Sequence, residues 1–144
     1  MLTRFGATQL LAGFIGIVPA GVTWELGLCA VIPTPDTALG DLEEPTIGVN
    51  GYARAVVTRN AAGFPGGVTS LFVQPQVRTR DVLFAPDAGT EFDVGTNRVF
   101  LYQSAPVGAQ GLMLIGPPVS AEPVRLAASQ PENERTFSLI ILGF

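Results

Sequence analysis

The segment VTWELGLCAVI, residues 22–32, decides the fold class. Apolar side chains recur at every second position from Val22 to Ile32, and the positions between them are occupied by Thr23, Glu25, Gly27, Cys29 and Val31. A period of two residues predicts a β-strand with one strongly apolar face. We expect Cys29, in the middle of this strand, to be a small buried hydrophobic side chain.

Further runs of strand-forming residues surround this segment, separated by turn signals about every ten residues. They are residues 52–59, 68–74, 76–84, 98–104, 111–116, 123–128 and 135–142. The last run is apolar on both faces, which predicts a central strand. We therefore predict an all-β protein, a single antiparallel β-sandwich over residues 22–144, jelly-roll-like, with a short N-terminal helix. We expect its core to include Trp24, Leu26, Leu28, Val56, Phe100, Leu114, Leu139 and Ile141.

Residues 1–21 form a separate segment with a helical pattern. The apolar run at residues 10–18 resembles a secretory signal, but it is too short and too rich in glycine and proline to cross a bilayer. A folded helix fits better, with Thr8 as its cap and Gly16 at its end.

One face of this helix is apolar. Leu10 and Phe14, and likewise Leu11 and Ile15, are four residues apart and lie on the same side of a helix. A small sandwich does not need to bury such a face itself. We therefore expect Leu10 and Phe14 to contact a partner.

The composition excludes most catalytic chemistry. The 144 residues contain no histidine and one cysteine, which excludes histidine-dependent triads, histidine-ligated zinc and an intrachain disulfide. The eight basic residues are all arginine, so Schiff-base chemistry is excluded as well. A net charge of −4 offers no broad basic face for nucleic acid. We predict no enzyme activity, no catalytic residue, no metal, no cofactor, and neither nucleic acid nor membrane as a partner.

Charge is sparse. Charged residues make up 14% of the chain, against about 25% in a typical soluble domain, and the mean hydropathy is +0.40. A soluble monomer usually keeps a charged surface, and a chain this apolar hides part of its surface against neighbours. We expect an obligate oligomer or a component of a larger assembly, with an unusually neutral monomer as the alternative.

Residues 33–51 read as a long loop without a clear period. Loops of this length are usually functional or ordered by a partner, so we expect partner contacts at its acids, Asp36, Asp41, Glu43 and Glu44. Arg54 follows in a strand of small and apolar residues, where an unpaired charge would be costly. We predict that Asp41, Glu43 or Glu44 pairs with it, and that Arg54, Trp24 and Tyr52 have structural roles.

Other polar clusters indicate a specific function less strongly. Arg78 and Arg80 place two guanidinium groups on one strand face, which is either a solvated face or a clamp on an acidic neighbour. Oxygens of Asp87, Glu91 and Asp93 could hold Ca²⁺, although their spacing fits no EF-hand and a solvated turn is the default. Glu43 and Glu44 are adjacent and point apart in an extended chain, so they make a poor catalytic pair.

The order of motifs over residues 24–59 resembles a group of small tailed-bacteriophage virion proteins. The matching residues are Gly27-Leu28, Pro33-Thr34, Glu43-Glu44 and Gly51-Tyr52-Ala53-Arg54. These relatives are β-sandwich proteins described as capsid decoration (cement) proteins or as tail and fibre parts. The resemblance implies a structural protein on the outer surface of the virion, made in the host cytoplasm.

The same resemblance implies the partners. The expected partner is the major capsid protein, bound by a homotrimer at a local three-fold position. A tail-tip, baseplate or fibre-associated protein, bound to tail proteins, is the alternative, and a carbohydrate-binding module is a remoter one. A receptor-binding fibre normally adds a shaft of repeats or a coiled coil, and the sequence has neither. Decoration of the capsid is therefore the favoured function.

Overall fold

The structure, a computed structural model, describes residues 1–17, 19–69 and 75–142. One α-helix, α1 (Arg4–Phe14), precedes the strands that are described. These are β1 (Thr23–Cys29), β2 (Ala55–Val57), β3 (Gln76–Arg78), β4 (Val82–Leu83), β5 (Arg98–Ala105), β6 (Gly111–Ile115), β7 (Thr136–Phe137) and β8 (Ile140–Leu142). The prediction of a mainly antiparallel strand protein with a short N-terminal helix is confirmed. Most of the strand predicted at residues 68–74 lies outside the described residues.

Four strands form the main sheet, in the order β2-β1-β5-β6. All three pairings are antiparallel, and Trp24 of β1 lies opposite Val57 of β2 and Gln103 of β5. The remaining strands form two small antiparallel pairs, β3 with β8 and β4 with β7. The decisive segment, residues 22–32, thus supplies one of the two central strands.

The first face of the main sheet is covered by the two small pairs. Leu26 and Leu28 of β1 lie in one buried cluster with Val82 of β4, with Phe84, which follows β4, and with Leu139, which precedes β8. Aromatic rings fill the space between these elements. Tyr52 stacks on Phe84 with ring centroids 6.1 Å apart and meets Phe92 edge-on at 5.1 Å.

The second face of the sheet is buried as well. Cys29, Phe100, Leu112 and Ile115 form a second cluster, against which Leu39 and Leu42 of the loop at residues 33–51 pack. The period of two in β1 predicts only one strongly apolar face and does not reveal this cover. The packing on this face requires glycine at position 27, because a Cβ there would lie 2.4 Å from the Phe100 ring.

The prediction of a central strand over residues 135–142 is wrong. The chain forms the short strands β7 and β8 there, and Ile140 and Leu142 are about half exposed. The break comes at Leu139, whose backbone exchanges hydrogen bonds of 2.9 Å with the backbone and side chain of Thr79. The same crossing splits the strand predicted at residues 76–84 into β3 and β4.

Two smaller corrections concern the sheet edges. Val56 was expected in the core but is half exposed, because β2 is an edge strand that turns Val57 inward instead. Residues 123–128 make only isolated bridges, from Val124 to Thr96 and from Ala127 to Glu91. Strands that pair on one side, or at one position, leave the same sequence pattern as fully paired strands.

Candidate interaction surface

Helix α1 is fixed to strand β6 by residues at its beginning. The backbone N–H of Thr3 donates to the Met113 carbonyl at 3.1 Å, and the N–H of Ile115 donates to the Met1 carbonyl at 2.8 Å. A Cβ on Gly6 would lie 2.0 Å from the Met113 carbonyl oxygen. Glycine at this position therefore lets the helix lie directly on the sheet edge.

The cap of this helix is Thr3, and the prediction of Thr8 as the cap is wrong. The Thr3 hydroxyl accepts a hydrogen bond from the Gly6 N–H at 3.0 Å, whereas the Thr8 hydroxyl donates to the Arg4 carbonyl inside the helix. The apolar periodicity begins only at Leu10, which is why the sequence pattern places the start too late.

The outer side of α1 carries large exposed apolar side chains. Phe14 is 89% exposed, and Leu10, Leu11, Ile15 and Ile17 are also exposed. This agrees with the expectation that the sheet does not bury this side of the helix. A contiguous set of exposed apolar side chains is the usual mark of a docking surface.

A groove of about 630 Å³ runs between α1 and the β3–β8 pair. Its walls include Leu10, Leu11 and Phe14 of the helix and Val77, Ile141 and Leu142 of the pair. Among the described residues that line it, Gln76 is the one polar residue. We call the surface formed by Leu10, Leu11, Phe14, Val77, Ile141 and Leu142 the α1–β8 face.

Sequence reasoning found two of the six residues of this face. The sequence predicts partner contacts for Leu10 and Phe14, whereas it predicts Ile141 in the core and makes no surface assignment for Val77 or Leu142. The signal that could have located them is the apolar character of both faces in residues 135–142. It fits an exposed two-stranded pair as well as a central strand, since in both cases neither face is polar.

The long loop at residues 33–51 is anchored within the chain. Ala30 and Glu43 exchange backbone hydrogen bonds of 2.9 and 3.1 Å, and Asp93 accepts hydrogen bonds from the backbone and hydroxyl of Thr46 at 2.9 and 2.6 Å. The hydrogen bonds from Thr46 lower the pKa of the Asp93 carboxyl. The loop thus has a defined conformation on the second face of the sheet.

Arg54 makes the strongest polar contact of the loop. Its Nε and Nη2 donate to Oε1 and Oε2 of Glu44, each at 2.8 Å, and Nη1 lies 3.5 Å from Glu25. Of the three acids that the sequence offers, Glu44 is the partner. The hydrogen bonds that Arg54 donates to Glu44 raise the pKa of the Arg54 guanidinium, so the guanidinium stays charged.

Aromatic groups complete the surroundings of this ion pair. The guanidinium carbon of Arg54 lies 5.0 Å from the ring centroid of Tyr102. The Tyr52 hydroxyl donates to Glu44 at 2.8 Å and accepts the N–H of Leu28 at 3.0 Å. Burial, followed by the charge of Glu44, raises the pKa of this phenol. The arrangement binds the loop to the sheet and leaves Glu44 occupied within the chain.

The other loop acids point outward. Asp36 pairs with Arg4 at 2.9 Å, with both side chains largely exposed, and Asp41 accepts the Ala38 N–H at 2.8 Å. Glu43 is exposed. Three of the four acids predicted to contact a partner are therefore accessible to one.

Arg78 and Arg80 do not form a shared clamp. Strand β3 ends at Arg78, which pairs with Asp81 at 3.1 Å. Arg80 lies beyond the strand and donates to the Val56 carbonyl at 2.9 Å. Both arginines serve the turn between β3 and β4.

Trp24 is held by contacts within the chain. Its indole N–H donates to Gln103 at 3.0 Å, the guanidinium carbon of Arg59 lies 4.7 Å from the centroid of its ring, and Phe64 meets it edge-on at 5.9 Å. A sugar-binding aromatic platform needs an open ring face, and here Arg59 occupies one face of the indole.

Two of the three acids considered for Ca²⁺ are engaged elsewhere. Asp93 accepts from Thr46, and Glu91 lies 3.6 Å from Arg125. Within residues 1–17, 19–69 and 75–142, no group of three or more acidic or cysteine side chains is arranged to hold a metal ion. Burial raises the pKa of the Cys29 thiol to about 12, so the thiol is protonated at neutral pH.

Comparisons of the chain with protein-family models, curated proteins and solved structures find no match. In the part of the chain that the structure describes, no helix combines the length and apolar character needed to cross a membrane. The functional proposal below therefore depends on the sequence resemblance and on the surfaces of the chain itself.

Proposed function

We propose that this protein is a structural component of a tailed-phage virion, a capsid decoration protein that binds the outer shell between major capsid proteins. The observation that carries the proposal is that the chain exposes two separate contact surfaces, the apolar α1–β8 face and the loop at residues 33–51 with its exposed apolar and acidic side chains. A decoration protein acts mechanically, by adding buried area across seams between subunits, and this requires exposed apolar surface. The resemblance over residues 24–59 supplies the identity of the particle.

The finer description of the fold belongs to this proposal. The main sheet and the β3–β8 and β4–β7 pairs are the layers of one jelly-roll-like sandwich. Its support is the shared core, in which Leu26 and Leu28 of the sheet lie with Val82, Phe84 and Leu139 from the segments of the small pairs. A rigid sandwich of this kind suits a protein whose role is mechanical and which catalyses no reaction.

The assembly in this proposal is a homotrimer at a local three-fold position, a symmetry that rests on the resemblance. The loop at residues 33–51 is the expected capsid contact. It combines exposed apolar side chains, such as Ile47 and Val49, with the outward acids Asp36, Asp41 and Glu43. The apolar groups provide affinity, and the acids orient the protein on the shell.

The alternatives differ in what they need. A tail-tip, baseplate or fibre-associated protein could use the same surfaces, and copy number separates it from a decoration protein. A carbohydrate-binding module has less support, because Trp24 is covered by Arg59 and Tyr52 is buried.

Counting copies in purified phage particles tests the proposal. Quantitative mass spectrometry of the particle gives the ratio of this chain to the major capsid protein. A decoration protein is present at a ratio of the same order as the capsid protein, whereas a tail component is scarcer by more than tenfold. Absence from washed particles would contradict both virion functions.

A further inference from the structure

The α1–β8 face continues into further exposed apolar side chains. Val68, which lines the groove, is exposed. Ile17 and Ile140, which line two smaller cavities beside Leu10, are exposed as well. The exposed side chains of this patch range from 41% exposed for Leu10 to 89% for Phe14. Exposed apolar patches larger than a few hundred Å² on a monomer mark interaction sites.

We propose that a second copy of this chain occupies the α1–β8 face, with the Phe14 ring of one copy seated in the groove of the next. The face contains both halves of such a contact, since a ring that is 89% exposed adjoins an apolar groove of about 630 Å³. Every copy therefore offers one projecting ring and one recess. This inference rests on the oligomer of the proposed function and names its contact residues.

The chemistry of the face favours a copy of the same chain over a different protein. None of the described residues that line the groove is charged, and Gln76 is the one polar residue among them. Recognition of a different protein normally uses charged and polar groups for specificity and for fixing the register. The described part of this face, with no charged group and a single polar one, is best matched by another face of the same composition.

The position of Phe14 fits either closed arrangement. Because the Phe14 ring and the groove adjoin, two copies can each insert this side chain into the other's groove about a two-fold axis. Three copies can each insert it into the groove of the next copy in a closed trimer. Both arrangements bury the same side chains. The same contact residues serve a dimer or a trimer, and the mass of the oligomer in solution distinguishes the two.

Replacing Phe14 tests the contact in solution. We expect the wild-type chain to have the mass of a dimer or trimer by light scattering, and Phe14→Ser to weaken association by about 30-fold or more. Val107→Ser is the matched control, because Val107 is 92% exposed and does not line the groove. Both sites are so exposed that neither change removes core packing. A monomeric wild type, or an oligomer that survives Phe14→Ser, overturns the proposal.

Cross-linking locates the contact independently. Cys29, the single cysteine, is buried, so it does not compete with introduced cysteines for disulfide formation. Mixing Leu11→Cys chains, which retain the Phe14 ring, with Leu142→Cys chains under mild oxidation should give a disulfide-linked pair, while Val107→Cys chains mixed with Leu142→Cys chains should not. An oligomer without the first cross-link contradicts the proposed contact.

The outcomes separate this inference from the proposed function. Capsid binding by an oligomeric wild type supports both. A wild type that is monomeric in solution, yet loses capsid binding on Phe14→Ser, uses the face for the capsid protein, which overturns self-association and keeps the decoration function. An oligomer linked through Phe14 that never binds capsids keeps this inference and overturns the proposed function.

Discussion

Arg54 shows how a single side chain can hold a long loop in place. Its guanidinium and the carboxylate of Glu44 are 14% and 13% exposed, so the pair is largely desolvated. Removing one partner of such a pair leaves the other charge buried and unpaired.

We therefore expect Arg54→Gln to lower the free energy of unfolding by about 3 kcal/mol. Urea denaturation measures this change. Arg78→Gln is the control, since Arg78 and Asp81 are both more than half exposed, and a surface pair contributes about 0.5 kcal/mol. Equal and small effects of the two substitutions would show that the contact with Glu44 does not hold the loop.

Cys29 makes stability depend on pH in the alkaline range. Burial, with the charge of Glu44 as the second cause, raises the pKa of its thiol from 9.0 to about 12. Between these values the unfolded chain releases the proton and the folded chain keeps it. The free energy of unfolding should fall across this window, by up to about 1.4 kcal/mol per pH unit.

The comparison with Cys29→Ala isolates this effect. The variant loses packing at every pH, but its stability should decline less steeply above pH 9.0, where the native thiol begins to titrate in the unfolded chain. Tyr52, whose phenol also has a raised pKa, is present in both proteins and cancels. Parallel curves for the two proteins would show that the thiol is not shielded in the folded state.

At the scale of elements, the sequence predicts strands better than their partners. The period of two in residues 22–32 and the apolar runs of residues 98–104 and 111–116 locate β1, β5 and β6, because these strands are paired on both sides or covered on both faces. Strand β8 was misplaced because its neighbours are set by the crossing of Leu139 and Thr79. That contact joins residues 60 positions apart, and local periodicity contains no information about it.

The candidate surface was predictable to the same extent. Leu10 and Phe14 could be placed on one side of a helix from their spacing alone, since residues four apart lie on the same side. Glu44 could be named only as one of several acids, because the direction of each loop side chain depends on how Ala30 and Glu43 pair. Val77, Ile141 and Leu142 join the face through the position of the β3–β8 pair, which is a property of the folded chain.

Two glycines of the same chain should respond oppositely to alanine. A Cβ on Gly27 of strand β1 would lie 2.4 Å from the fully buried Phe100 ring, whereas a Cβ on Gly13 of helix α1 meets nothing within 4 Å. We expect Gly27→Ala to destabilise by about 1–3 kcal/mol through overpacking. Gly13→Ala should stabilise by about 0.5–1 kcal/mol. Thermal denaturation distinguishes the two, and a neutral Gly27→Ala would contradict the close packing of strand and ring.

At the scale of the whole molecule, the chain presents two kinds of surface. The α1–β8 face is apolar and without charged groups among its described lining residues, and we assign it to contacts between copies. The loop at residues 33–51 is anchored on the opposite face of the main sheet from the small pairs, and we assign it to the capsid. Separate surfaces allow one oligomer to form before it binds the shell.

The binding of the purified protein to undecorated capsids, at low and at high salt, tests the proposed function most directly. Salt screens exposed ion pairs but leaves apolar contacts intact or strengthens them. We expect the protein to sediment with the capsids in equal amount at both salt concentrations. Failure to bind at either concentration, or release by moderate salt, would contradict a decoration protein held by apolar contact.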